Sequence, residues 1–108
     1  MDKENIYSRI PEDLPTEIFE EILKTKSFHL ERIISNGHAT ESGKWLHQDQ
    51  EEWVILLKGD AGILFEGDKN VTILTNGDYI HIPAHRKHRV EWTKQNSETI
   101  WLALHFSK

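Results

Sequence analysis

His47 and Glu52 lie five residues apart in the stretch GKWLHQDQEEWVILLKG, Gly43 to Gly59, immediately ahead of the apolar run Trp53 to Leu57. A second stretch, GDYIHIPAHRKHRVEW from Gly77 to Trp92, carries His85 and His88. An imidazole and a carboxylate on one side of a buried sheet can hold a divalent cation, and further histidines from a second segment would complete the ligand set. Five residues of separation do not put His47 and Glu52 on one strand face, so the segment 48–51 must turn or bulge. If the register slipped by one residue, Glu51 would replace Glu52. The same residues have a plainer reading. A histidine beside a glutamate at a hairpin is a common surface pair, and His85 and His88 could satisfy backbone carbonyls in the turn after Pro83. His81 and His105, each within an apolar strand, either face a ligand or are hydrogen-bonded core residues. His29 and His38 follow no pattern.

The elements that must position these groups read mostly as strands. An arm, Met1 to Arg9, leads to Pro11 and Pro15, each of which holds the preceding residue out of helical geometry. Ile18, Phe19, Ile22 and Leu23 recur at helical spacing. Pro15 suits a first helical position, and Glu17, Glu20 and Glu21 suit the positive end of a helix dipole. This predicts a short helix from Pro15 to Lys24, its apolar stripe lying on the barrel or on a second copy of the chain. From Ser27 the period becomes two, with Phe28, Leu30, Arg32 and Ile34 alternating with His29, Glu31, Ile33 and Ser35. Strand-like segments follow at 53–57, 61–66, 71–75, 79–82, 88–92 and 99–106, separated by Lys58-Gly59-Asp60, Gly67-Asp68-Lys69-Asn70, Asn76-Gly77-Asp78 and Pro83. One helix followed by about eight short strands predicts an all-β domain with a closed or double sheet.

With 108 residues the chain makes one domain, divided into an arm and helix over 1–26 and a barrel over 27–106. The absence of cysteine excludes disulfides and thiolate chemistry. A charged amino terminus and the lack of any long apolar run lead to the expectation of a cytoplasmic protein that does not insert in membranes. A net charge of −5 argues against nucleic-acid binding, despite the local RKHR patch at Arg86 to Arg89. The four tryptophans Trp45, Trp53, Trp92 and Trp101 are core or pocket lining before anything else.

The two histidine-bearing stretches together resemble the two motifs of the cupin family. Glu52 followed by six residues and Gly59 matches the first motif, with His47 at its second histidine and Trp45 in place of its first. Gly77, Pro83 and His88 match the second, with His85 in place of its second glycine and Trp92 in place of its asparagine. The resemblance spans residues 43–106 and implies a jelly-roll β-barrel of antiparallel strands. It further implies that His47, Glu52 and His88 hold an iron, manganese, nickel or zinc ion in a Lewis-acid role. His85 or Glu51 would then move a proton, and Trp45, Tyr79, Trp92 and His105 would shape the pocket. Two functions follow as expectations: a metal-dependent enzyme acting on a small organic molecule by dioxygenation, decarboxylation, isomerisation or elimination, or a non-catalytic small-molecule sensor without metal. Burial of sheet edges in this family implies a homodimer.

Overall fold

The computed structural model describes residues 1–108 as eight antiparallel strands and no helix. In chain order they are β1 Ile18–Lys24, β2 Phe28–Ser35, β3 Glu51–Lys58, β4 Ala61–Phe65, β5 Thr72–Leu74, β6 Tyr79–Ile82, β7 His88–Thr93 and β8 Thr99–Phe106. Five of them form one sheet in the order β1-β2-β8-β3-β6, and the other three form a second in the order β5-β4-β7. The two sheets face each other as the all-β expectation required. No helix is long and apolar enough to cross a membrane.

The helix expected over Pro15 to Lys24 is instead strand β1, an edge strand paired with β2. A register shift between Glu21 and Leu23 absorbs the spacing that looked helical in sequence. Cross-strand partners explain why the strand wins. Arg32 donates from Nε and Nη2 to Glu20 Oε1 at 3.0 and 2.6 Å, and Ser35 Oγ donates to Glu17. The glutamates that would have favoured a helix dipole are thus tied to β2, and tertiary pairing overrides local propensity. Arg32 also donates from Nη1 to the carbonyls of Ile6 and Ser8 at 2.8 and 2.6 Å, which fastens the N-terminal arm to the sheet. The stripe proposed to meet a second copy is therefore an edge on which Phe19, Ile22 and Leu23 are exposed.

Between the sheets lies a core of Val54, Leu56, Ala61, Ile63, Leu74, Ile82, Trp101 and Ala103. Residues of β3 and β8 alternate about this core: Val54 and Leu56 point in with Trp101 and Ala103, while Trp53 packs outward against Tyr79 with ring centroids 5.3 Å apart. Two glycines are demanded by geometry. Gly59 turns β3 into β4 at φ 114°, and a Cβ there would lie 3.0 Å from Thr99 Cα. Gly62 on β4 lets Trp92 close over the backbone, where a Cβ would collide with the indole Nε1 and stand 2.6 Å from Val71 Cγ1.

Candidate functional site

The inward alternation of β3 and β8 continues past the apolar core into a polar end. Glu52 follows Val54 and Leu56 on the inner face of β3, and it lies directly across from His105 on β8. On β2, Glu31 pairs with Ala103, one inward position along from His105. His88 opens β7 on the facing sheet, and its backbone is bridged to Leu46 by bonds of 2.7 and 3.0 Å. This bridge brings the loop carrying Trp45, His47 and Gln48 over the same space. The result is a cavity of about 580 Å³, a size suited to a small organic ligand.

Within it a chain of polar groups crosses from one sheet to the other. His105 Nε2 stands 3.0 Å from Glu31 Oε1 and 4.0 Å from Glu52 Oε2, while its Nδ1 is 2.9 Å from Gln48 Nε2. The Gln48 amide can meet either form of the ring, donating to a bare Nδ1 or, turned over, accepting from a protonated one. The bond to Glu31 pushes His105 above the ordinary histidine range, with burial opposing and Glu52 adding to the effect. Burial pushes the Glu52 carboxyl up as well, against the pull of the His105 and His88 rings. The two shifts have different causes: His105 gains a partner for its charged form, whereas Glu52 loses water.

His88 is set up differently. Its Nδ1 lies 2.9 Å from the Arg86 carbonyl, which can only accept, so Nδ1 carries the hydrogen. In the neutral ring Nε2 is then a lone pair. That atom faces the cavity 3.6 Å from Glu52 Oε1, too far for a hydrogen bond. His88 presents a base and Glu52 a carboxyl to one small volume.

Of the residues singled out in sequence, Trp45, His47, Glu52, His88 and His105 line the cavity. Glu51 and His85 do not. Glu51 accepts hydrogen bonds at 2.7 Å from the Ala84 amide and from His81 Nε2, away from the cavity wall. His85, with its side chain 69% exposed, takes φ 68° at the motif position where the family has glycine and stands 3.7 Å from Asp49. Histidine is among the few residues that enter this left-handed region, which accounts for the replacement. Tyr79 is exposed on the outer face and Trp92 covers Gly62, so neither shapes the pocket. Glu31 and Gln48 belong to the site although their sequence context reads as an ordinary strand and loop. The one hint was a charged residue between His29 and Ile33 on a strand face otherwise able to be buried.

A divalent cation needs three or more converging donors, and no group of three histidine, cysteine, aspartate or glutamate side chains is arranged to hold one. Only His88 and Glu52 of the expected set face each other. His47 is exposed at the cavity wall, and both nitrogens of His105 already have partners. The donor set as arranged does not fit the metal that the motif resemblance implied.

The Ala84 amide is the first cause that holds Glu51 below the ordinary carboxylate range, with burial opposing it and the His81 bond assisting. A depressed folded value contributes stability above the unfolded value and loses it as pH falls through the folded one. Glu51→Gln should therefore lower the melting temperature by several degrees at pH 7, and the gap to the parent protein should close in strong acid. Thermal denaturation at pH 7 and pH 3 checks this; an equal gap at both would refute the assignment.

The two antiparallel sheets and the polar-ended cavity at one mouth define an all-β, jelly-roll barrel domain. The chain belongs to the cupin family: the Cupin domain model matches residues 33–105. It is 42% identical to a proposed mannose-6-phosphate isomerase of Ralstonia eutropha JMP134, with each chain covered over 100% and a TM-score of 0.95. A cupin superfamily protein of Desulfitobacterium hafniense DCB-2 shares the fold at 15% identity and TM-score 0.74, covering 92% of this chain and 84% of that one. So does a cupin with a double-stranded β-helix fold from Methanocaldococcus jannaschii, at 16% identity and TM-score 0.70, covering 92% and 87%. No curated protein matches the chain.

Proposed function

We propose that this cupin binds a small polar organic molecule between its sheets and moves a proton on it, with His88 as base and Glu52 as acid. The observation that carries the reading is the His88 Nε2 lone pair, oriented by the Arg86 carbonyl and facing the Glu52 carboxyl across 3.6 Å of cavity. In such a step Nε2 takes a proton from the ligand, and the electron pair left behind shifts to the atom that receives the Glu52 proton. The ligand is tautomerised with no net change in charge, the outcome of an isomerase-type reaction. Burial supports the acid role, because a desolvated Glu52 keeps its proton to a higher pH. The Glu31 carboxylate adds to that effect, whereas the His105 and His88 rings oppose it. The Ralstonia relative, a proposed mannose-6-phosphate isomerase, is compatible with this class of chemistry.

Elemental analysis of protein purified without chelator provides the test. Substoichiometric metal is expected, together with deuterium exchange from solvent into a bound ligand that His88→Ala slows by about 10²-fold or more. Stoichiometric metal that disappears in His88→Ala would overturn the acid-base reading and restore a His88-ligated centre.

A further inference from the structure

We infer that the ligand of this cavity is a small organic ammonium rather than a phosphate ester, an inference that rests on the cavity reading above and specifies its substrate class. The charged lining is unbalanced. Glu17, Glu31, Glu41 and Glu52 face the space, and Lys44 is the only lysine or arginine that does. Lys44 is moreover largely exposed and paired, its Nζ lying 3.0 Å from Glu41. Even with Glu52 neutral and His105 positively charged, three carboxylates face two cations.

The arginines that might have offered a phosphate cradle are turned elsewhere. Arg86 donates to the Glu66 carbonyl at 2.8 Å and covers the Phe65 ring. Arg89 stands 3.0 Å from Glu91 and lies over Trp45. Neither lines the cavity, and with no helix in the fold no helix terminus offers its amides to an anion. A phosphate group is an anion made of acceptors and would meet a lining in which carboxylates outnumber cations.

An independent feature points the same way. His88 has a side chain only 8% exposed, and its cavity-facing Nε2 has no hydrogen-bond partner. An acceptor open to the cavity in this way is available to a donor from the ligand. An ammonium brings three donors and a positive charge, enough to engage Nε2 and carboxylates at once. Phe19, Val54 and Trp101 supply an apolar wall for the hydrocarbon part of such a molecule, and aromatic faces also attract cations.

Titration calorimetry at pH 7 with two matched probe sets tests the inference. One set is glucosamine, glucose, glucose 6-phosphate and mannose 6-phosphate; the other is phenethylamine and phenethyl alcohol. In at least one set the amine should bind about tenfold or more tightly than its uncharged counterpart. His88→Ala, its fold checked by circular dichroism, should remove most of that advantage, and both sugar phosphates should bind more weakly than either uncharged probe. Tighter binding of a sugar phosphate that still depends on His88 would overturn the ammonium inference while leaving the cavity reading in place. Amine binding that is indifferent to His88→Ala would overturn the ammonium inference too, because it would place the amine away from Nε2. Silence from every probe would overturn both.

Discussion

Glu31→Gln is expected to destabilise the protein by about 1.5–3 kcal/mol near pH 6, the cost of losing a hydrogen bond to a charged group in a mostly buried setting. The effect should shrink as the solution is made alkaline. His105 is the reason: its folded value is raised chiefly by the bond to Glu31, whose carboxylate lies 3.0 Å from Nε2. A raised folded value means that the folded state holds the proton more tightly than the unfolded chain does. The stabilisation is fully present below the unfolded histidine value, near 6.5, and is lost as pH rises through the folded one. Removing Glu31 should cost most where His105 is charged in both states, and progressively less above that window. Denaturant unfolding of the parent and the variant from pH 6 to pH 9 measures this directly. A gap that is flat or widens with pH would show that Glu31 supports the fold by some means other than holding the proton of His105.

Leu56→Ala should have the largest effect on stability of any conservative truncation in the β3 strand. Leu56 is fully buried at the centre of the cluster that joins the two sheets. Truncation removes apolar contacts and leaves a cavity that the paired backbone of β3, hydrogen-bonded to β6 on one side and β8 on the other, cannot collapse to fill. The expected cost is about 2–5 kcal/mol. Because a domain of this size is stable by only about 5–15 kcal/mol, that loss brings the protein near the edge of unfolding at ambient temperature. Chemical denaturation should show a lower midpoint with an unchanged slope. A loss below about 1 kcal/mol would mean that the core repacks around the gap and that the sheets are less rigidly spaced than their pairing implies.

The all-β architecture was legible because the period-two segments from Ser27 onward are bounded by turn residues whose geometry permits little else, as at Gly59 and Asn76-Gly77. Glu52 and His88 could likewise be singled out from their spacing to Gly59 and Pro83. The N-terminal segment was not legible. Ile18, Phe19, Ile22 and Leu23 fit a helical stripe as well as a bulged strand, and only the Arg32 and Ser35 side chains of β2, waiting for Glu20 and Glu17, separate the two. Glu31 was hidden for a related reason. One charged residue in an alternating strand looks solvent-facing until the strand is placed beside β8, where it meets His105.

From the chain alone, the alternation of apolar residues and the placement of glycine and proline determine a rolled antiparallel sheet, since local sterics and side-chain parity act within a few residues. The motif positions also determine that an imidazole and a carboxyl approach one end of it. Which donors converge was decided by tertiary structure. Strand register puts Glu52 opposite His105, the Leu46 bridge puts His88 across from Glu52, and His47 is left at the wall. Those are contacts between residues 40 to 75 positions apart in several cases, such as Glu31 and His105 with a separation of 74, and no local preference encodes them. The balance of charge in the cavity follows from the same cause, because Glu17 and Glu31 face inward only once β1 and β2 have joined the sheet.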